Sequence, residues 1–473
     1  MIIRQFFING IAHSSYLLGG NKKCVIVDPA RDIDMYLEAA EEMGLEITHI
    51  LETHLHADFV SGHIDLAEET GARIYAPRSG KCNFDHEALE GGDSFNIEDM
   101  KIDVIETPGH TPESLCYIVT DLGRGKDPVA LFSGDTLFVG DVGRPDLFPG
   151  RAEELASDLF DSIHGKILKL PDFCEVYPAH GAGSLCGRAM GAKRTSTVGY
   201  ERKYNKALQI GNRSEFIKSL TTGMPAAPDH FARCSDINRK GPEPASELSV
   251  MMPLAPVDVK DMTESGNAVV LDCRSFLAFG GAHIPGAYSI DIGGNFATFA
   301  GWIIPPDRRI ILVSSDESQA YEALVWLRRV GLDGVAGYLE GGMQRWTMAG
   351  LDTSGICQIS AKKLYETALG NMPINIVDVR ADREFNVYHI EGAVNIPVQD
   401  LRTRYTELDP NLPTVTVCGS GQRSGIGASL LQQRGFRDVL NLAGGMSGFA
   451  ASGFAPTCPV CSAPHGPGFP GAE

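Results

Sequence analysis

Positive charge is scarce in this chain: Lys and Arg total 41 against 60 for Asp and Glu, a formal net charge of -19 over 473 residues. Such an acidic balance repels phosphate backbones and anionic lipid surfaces, so neither nucleic acid nor a membrane is expected as a partner. Long apolar runs are missing, which excludes a bilayer-crossing segment. The opening residues, MIIRQFFING, show no basic start, no long apolar stretch and no small-residue cleavage site. No secretory signal is visible, and a soluble, cytoplasmic protein is expected. The eleven cysteines lack pattern: their number is odd and they are scattered from Cys24 to Cys461. A disulfide framework is not expected, and the question is which few cysteines are chemical.

What is present divides along the chain. A length of 473 residues is too great for one hydrophobic core, and three domains are the natural expectation. Residues 1 to about 185 alternate short β-branched runs with turns rich in Gly, Asp and His, as in CVIVDP, THILETH, KIDVIETPGH and VALFSGD. This is a series of strands whose ends carry polar residues. From Ala189 to about Asn238 the pattern turns helical, and INRKGPEPASELS reads as a linker. Beyond it the sequence repeats. VVLDCRSFLAFGGAHIPGAYSI resembles NIVDVRADREFNVYHIEGAVNI, and IILVSSDESQAYEALVWLRRVGL aligns without gaps to VTVCGSGQRSGIGASLLQQRGF. Asp272 matches Asp378, Arg274 matches Arg380, His283 matches His389, and Gly341–Gly342 match Gly444–Gly445. Each copy of about one hundred residues suits a small α/β domain with a parallel sheet. The expected fold class is α/β multidomain, with boundaries at 1–245, 246–355 and 356–457 and a Pro/Gly-rich tail at 458–473.

Chemistry concentrates in the first segment. The strand ITHILET runs into His54-Leu55-His56-Ala57-Asp58, and alternation along an extended segment points His54, His56 and Asp58 the same way. Three more candidates stand at strand ends: His110 in TPGHTPES, Asp135 in LFSGDTLF and His180 in VYPAHGAG. A lone histidine would more simply be a hydrogen-bonded core or turn residue; the set together favours a metal site.

These motifs resemble the metallo-β-lactamase superfamily, which implies an αββα sandwich with metal at the sheet edges. The usual superfamily pattern is His-x-His-x-Asp-His, and Phe59 stands where its last histidine belongs. A phenyl ring cannot bind a metal, so a second metal position would keep only Asp58, His180 and a bridging Asp135, and weak binding there is expected. This argues against a two-zinc hydrolase of the glyoxalase II or β-lactamase kind. THLHADFVSG, TPGHTPES, SGDTLFVGDVGRPD and YPAHG look most like the persulfide dioxygenases of the superfamily. That resemblance implies one Fe(II) per chain, with Zn the alternative, on His54, His110 and Asp135, leaving positions for a substrate thiolate and for O₂. His56, Asp58 and His180 then orient the ligands or bind the metal directly. Arg144, in GDVGRPD, matches a family arginine near the active site and is expected to pair with a carboxylate of the thiol carrier; an ordinary salt bridge is its competing role. Cys186, in GAGSLCGRAMG, is either a sulfur relay or a buried loop cysteine.

In the last copy, Cys418 opens the loop CGSGQRS between the strand TVTV and the helix GIGASLLQQRG. Such a turn can aim backbone N–H groups at a sulfur and stabilise a thiolate or persulfide, and Arg423 adds fixed positive charge. Together with VDVR and HIEGA this resembles the rhodanese family. The resemblance implies Cys418 and Arg423 as catalytic residues and Gly419, Ser420, Gly421, Gln422 and Ser424 as substrate contacts. In the middle copy Ser314 stands opposite Cys418 and Gln319 opposite Arg423, making it a pseudo-rhodanese of structural purpose. Cys273 is expected in its core. Cys458 and Cys461 with His465 are a lone C-x-x-C in a tail, a weak metal signal.

The whole pattern resembles persulfide dioxygenase-sulfurtransferase fusions. It implies oxidation by O₂ of a small persulfide, carried on glutathione, coenzyme A or a related thiol, to sulfite. Sulfur transfer that forms or uses thiosulfate follows, and the enzyme detoxifies sulfide. A homo-oligomer is expected. The competing readings are a zinc thioester hydrolase with an accessory rhodanese and a non-enzymatic sulfur-carrier scaffold.

Overall fold

The computed structural model describes residues 1–224, 226–369 and 373–453; Cys458, Cys461 and His465 lie outside them. The chain forms two compact units, one of Met1–Leu248 with Leu327–Leu332, the other of Ser249–Trp326 with the chain from Asp333 on. Among the described residues no helix is long and apolar enough to cross a membrane.

The first unit is the expected αββα sandwich. Its first sheet runs in sequence order: β1 (Ile2–Ile8), β2 (His13–Gly19), β3 (Lys23–Val27), β4 (Glu46–Leu51), β5 (Arg73–Pro77) and β6 (Glu87–Leu89). Pairing is antiparallel through β3 and parallel from there. The second sheet has the order β12-β11-β10-β9-β8-β7, from β7 (Ser94–Ile97), β8 (Met100–Glu106), β9 (Leu115–Asp121), β10 (Ala130–Gly134), β11 (Glu175–Pro178) and β12 (Ser196–Thr197).

Strand β9 shows how sequence makes two layers. Leu115, Tyr117 and Val119 point into the core between the sheets, with Leu18, Val25 and Val27. The alternate residues Cys116 and Ile118 face Leu159 and Ile163 of the helix Ala152–Gly165. Both faces are buried, so Leu115–Val119 is an unbroken apolar-sided run and not an alternating one.

The helical segment begins later than its composition suggests, at Val198. Residues 188–191 are held by other bonds: the Arg188 and Ala189 amides donate to Asp141 Oδ2 at 2.6 and 2.8 Å, and the Gly191 amide to the Val139 carbonyl at 2.7 Å. Helices Val198–Tyr204, Arg213–Thr221 and His230–Lys240 follow.

The second unit contains two parallel five-stranded sheets of identical topology. One has the order β13-β17-β16-β14-β15, from β13 (Met252–Leu254), β14 (Ala268–Asp272), β15 (Tyr288–Ser289), β16 (Arg309–Val313) and β17 (Val335–Leu339). The other has the order β18-β22-β21-β19-β20, from β18 (Cys357–Ile359), β19 (Asn375–Asp378), β20 (Val394–Asn395), β21 (Thr414–Val417) and β22 (Val439–Leu442). The repeat extends to side chains. Arg274 forks onto Asp272 and donates to the Ala282 carbonyl; Arg380 forks onto Asp378 and donates to the Tyr388 carbonyl. The rings of Phe279 and His283 stack at 3.7 Å, those of Phe385 and His389 at 3.8 Å.

Candidate active sites

The first site forms where strands end. Strand β10 stops at Gly134, whose φ of +51° and packing against Thr53 leave no room for a side chain: a Cβ would lie 2.6 Å from Thr53 Oγ1. This close approach brings Asp135 against the segment that follows β4. His54 Nε2 and His110 Nε2 lie 3.7 and 3.4 Å from Asp135 Oδ2. All three residues are buried, and among the described residues none of the three atoms has a hydrogen-bond partner. Buried polar atoms left unpaired are costly. Three of them converging from two imidazoles and a carboxylate fit a divalent metal ion, and the remaining atoms of each group are already anchored. His54 Nδ1 meets Thr53 Oγ1 at 2.9 Å, and that hydroxyl donates to Asp28 Oδ2 at 2.9 Å. His110 Nδ1 lies 2.9 Å from the Arg144 carbonyl, and Asp135 Oδ1 takes a 2.7 Å bond from His180 Nδ1. Each candidate ligand thus keeps one fixed atom and presents another.

The electrostatics agree with that division. Burial alone would raise the Asp135 carboxyl, but His180, His54 and His110 hold it well below the ordinary carboxylate range. Burial pushes the His54 and His110 rings down, toward the neutral form a ligand needs. Burial would do the same to His180, yet Asp135 and Asp58 keep it well above the usual histidine value.

The other sequence candidates are near but separately engaged. The chain leaves its extended path at Leu51, so His54, His56 and Asp58 do not share one direction as alternation suggests. His56 Nε2 points at Asp28 Oδ1 (3.2 Å) and Glu52 Oε2 (3.6 Å). Asp58 Oδ2 pairs with His180 Nε2 at 2.8 Å, and Cys186 lies beside both. Burial, with Asp58 and Asp135 close by, pushes the Cys186 thiol well up. Phe59 is fully buried, its ring 4.0 Å from that of His13 and 4.5 Å from that of His56. Arg144 is 1% exposed, with its guanidinium on Asp146 at 2.6 and 2.7 Å and on the Leu185 carbonyl at 3.1 Å. Its carbonyl is what orients His110.

Several contributors have no sequence motif. Asp28 adopts φ +53°, an uncommon conformation for a non-glycine residue, at the end of β3. Asn238 donates to the His56 and Phe59 carbonyls at 2.8 Å each and accepts from the Ser61 amide at 2.8 Å, clasping the segment after β4 from 177 to 182 residues away. The VDP turn was the one local hint of Asp28; a lone Asn in a helix gives none.

The second site lies in the last sheet. Cys418 follows β21, its side chain buried. The Gly421 N–H donates to Sγ at 3.1 Å, and the Ser424 hydroxyl lies 3.2 Å from it. Gly419 and Ser420 complete the loop, and Gln422 opens the helix Gln422–Gln433. Underneath, the Met446 and Ser447 amides bind the Cys418 and Gly419 carbonyls. The Arg423 guanidinium is paired with Glu384.

In the other copy the corresponding loop is filled from within. The Ser314 hydroxyl donates to the Asp316 carbonyl at 2.7 Å, and Gln319 Oε1 accepts the Ser315 amide at 2.7 Å. The N–H bound by the Gln319 oxygen stands at the position of Gly419, two residues before that of Gly421, whose N–H reaches the sulfur in the last copy. Cys273 is buried and donates to the Val313 carbonyl; burial raises its thiol.

Comparison with known proteins gives matching assignments. The model of the metallo-beta-lactamase superfamily matches residues 8–180, and the rhodanese-like domain model matches 255–349 and 360–452. A mitochondrial persulfide dioxygenase of Bos taurus is 30% identical over 224 residues, covering 46% of this chain and 80% of that protein. A hydroxyacylglutathione hydrolase of Pseudomonas entomophila is 28% identical over 220 residues, 46% of this chain and 81% of its own. The crystal structure of a metallo-beta-lactamase from Staphylococcus aureus superposes with a TM-score of 0.65 at 37% identity, covering 72% of this chain and 98% of its own.

Proposed function

Since the chain belongs to the metallo-β-lactamase superfamily and continues into two rhodanese-like domains, we propose that it is an iron persulfide dioxygenase joined to a sulfurtransferase. The domains would divide at 1–245, 246–355 and 356–457. The observation that carries the reading is the set of three unpartnered buried atoms on His54, His110 and Asp135. Two imidazoles and one carboxylate are the donor set of non-haem Fe(II) oxygenases, and a ferrous ion there supplies open coordination positions for the reaction of a persulfide sulfur with O₂. Relatives of two activities, a persulfide dioxygenase and a hydroxyacylglutathione hydrolase, match at 30% and 28% identity, so the residues of the site have to separate them. Phe59 and the turning of His56 toward Asp28 and Glu52 favour the single-metal reading.

The chain's own residues then have definite tasks. Thr53 and Asp28 hold the His54 ring, the Arg144 carbonyl fixes His110, and His180 fixes Asp135. Arg144 acts through that carbonyl, with Asp146 securing its guanidinium. The Phe59 and His13 rings form a water-excluding wall. Cys186, beside Asp58 and His180, is the candidate to receive or pass sulfur.

At the second site the Cys418 thiolate attacks the outer sulfur of a persulfide, forming a new S–S bond as the parent thiolate leaves. Sulfite then attacks that outer sulfur, giving thiosulfate and restoring the thiolate; the same steps run in reverse with thiosulfate as donor. The Gly421 N–H stabilises the sulfur anion at both stages; the Ser424 hydroxyl, 3.2 Å from Sγ, has one proton to give and a shorter contact to Asn441 Oδ1 at 2.6 Å. Tethering the two activities raises the local concentration of the shared intermediate.

The deciding experiment measures iron and zinc in the purified protein together with O₂ consumption on glutathione persulfide. One iron per chain, and loss of both iron and O₂ uptake in His110→Ala, is expected. Two zinc ions per chain with full activity would sink the reading.

A further inference from the structure

Arg423 does not stand alone beside Cys418. Its Nη1 donates to Glu384 Oε2 at 2.6 Å and its Nη2 to Glu384 Oε1 at 2.8 Å, a two-pronged pair. The two side chains are 29% and 34% exposed, so the pair borders solvent at the mouth of the site. Glu384 Oε2 also accepts the Ala381 amide at 3.2 Å, which fixes the carboxylate to the first turn of the helix Asp382–Val387. A Cβ placed on Gly419 would lie 3.5 Å from Arg423 Nη2, so the paired guanidinium rests against the sulfur loop itself.

The other copy supplies a comparison inside the same chain. There Ala278 stands opposite Glu384 and Gln319 opposite Arg423. Acid and base are absent together, along with the cysteine, while the Arg–Asp fork and the Phe–His stack are kept in both copies. Capping the helix does not require the acid, because Ser275 caps the equivalent helix by accepting the Ala278 amide. Glu384 therefore travels with the chemistry of the loop and not with the fold.

We propose that Glu384 is a specificity-determining residue of the sulfur-transfer site: by pairing with Arg423 it sets the charge met at Cys418, disfavouring multiply charged anions relative to neutral carriers. This rests on the sulfur-transfer reading above. An unpaired guanidinium would attract thiosulfate and hold it. A paired one presents little net charge, so an anionic product leaves readily and a neutral or singly charged persulfide competes on better terms.

The test uses the full chain and two alkylating probes of similar size, anionic iodoacetate and neutral iodoacetamide, with Cys418 modification followed by mass spectrometry. In both reactions the thiolate forms a C–S bond and iodide leaves, so a change in thiolate content cancels in the ratio of the two rates. Glu384→Gln keeps the cap acceptor and removes the charge; the iodoacetate/iodoacetamide ratio should rise about threefold, and the KM for thiosulfate should fall about tenfold because that donor is doubly charged. Glu384→Asp keeps the charge and should leave the ratio near wild type. An active wild type whose ratio and KM are both unmoved by Glu384→Gln overturns the proposal. A shifted ratio in a chain with no sulfur transfer would instead keep the charge assignment and sink the transferase reading.

Discussion

Replacing Gly421 by Ala tests the sulfur cradle directly. Gly421 sits at φ +113° and ψ -19°, where an L side chain is strained, and its added Cβ would lie 2.8 Å from two ring carbons of Phe276. Backbone strain of this kind costs about 1–3 kcal/mol, and forcing a methyl into filled space costs a similar amount. A loss of about 3 kcal/mol is therefore expected, which in a unit of this size lowers the melting midpoint by about 6–12 °C. The same shift turns away the N–H that reaches Cys418 Sγ. Losing one charge-assisted hydrogen bond at about 2 kcal/mol slows transfer by roughly thirtyfold. The control is Gly281→Ala in the other copy, whose Cβ meets nothing within 4 Å and which should change the rate by no more than about threefold. Thermal unfolding and thiosulfate:cyanide transfer, measured on both variants and on Phe276→Ala with and without Gly421→Ala, complete the experiment. The double variant should be more stable than the sum of the singles by at least ~0.5 kcal/mol, since the clash needs both partners. A Gly421→Ala enzyme with wild-type rate and midpoint, or no coupling to Phe276, would refute the reasoning.

Thr53→Val removes the hydroxyl that links Asp28 to His54; iron affinity should drop about ten- to a hundredfold, read from the rate of iron loss to a chelator. Cys418→Ser should abolish sulfurtransfer and leave the iron in place, whereas Ser314→Ala should be silent; equal losses would contradict the division of labour between the copies. In Cys418→Ser the persulfide should still consume O₂ and release sulfite in place of thiosulfate. If both Cys418→Ser and Cys186→Ser give unchanged thiosulfate and no sulfite accumulates, the metal domain makes thiosulfate unaided and Cys186 is no relay.

Legibility in the sequence tracked locality. His110, Asp135 and His180 each close a strand with a short turn, and the structure brings them into one neighbourhood. The repeat was visible because two copies of one fold leave the same residues at the same spacing. The direction of His56 was hidden, because alternation ends with the strand at Leu51 and the ring follows two carboxylates, Asp28 from the turn after β3 and Glu52 from four residues earlier in its own turn. Asn238 was hidden for a related reason: its partners His56, Phe59 and Ser61 lie far away in sequence. The late start of the helical segment goes with contacts distant in sequence: residues 188–191 are tied by their amides to Asp141 and to the Val139 carbonyl, and the helix begins only at Val198. The pairing of Arg423 with Glu384 joins the first turns of two helices of one domain, and only the double absence in the other copy hints at it.

That other copy has one more consequence. Its sheet order, arginine fork and aromatic stack duplicate those of the copy that bears Cys418, while in its loop the Gln319 side-chain oxygen accepts the Ser315 N–H. A thiol placed at position 314 would find one loop N–H taken by that side chain and no arginine five residues on, so revival of the copy would have to begin with Gln319 as well as Ser314.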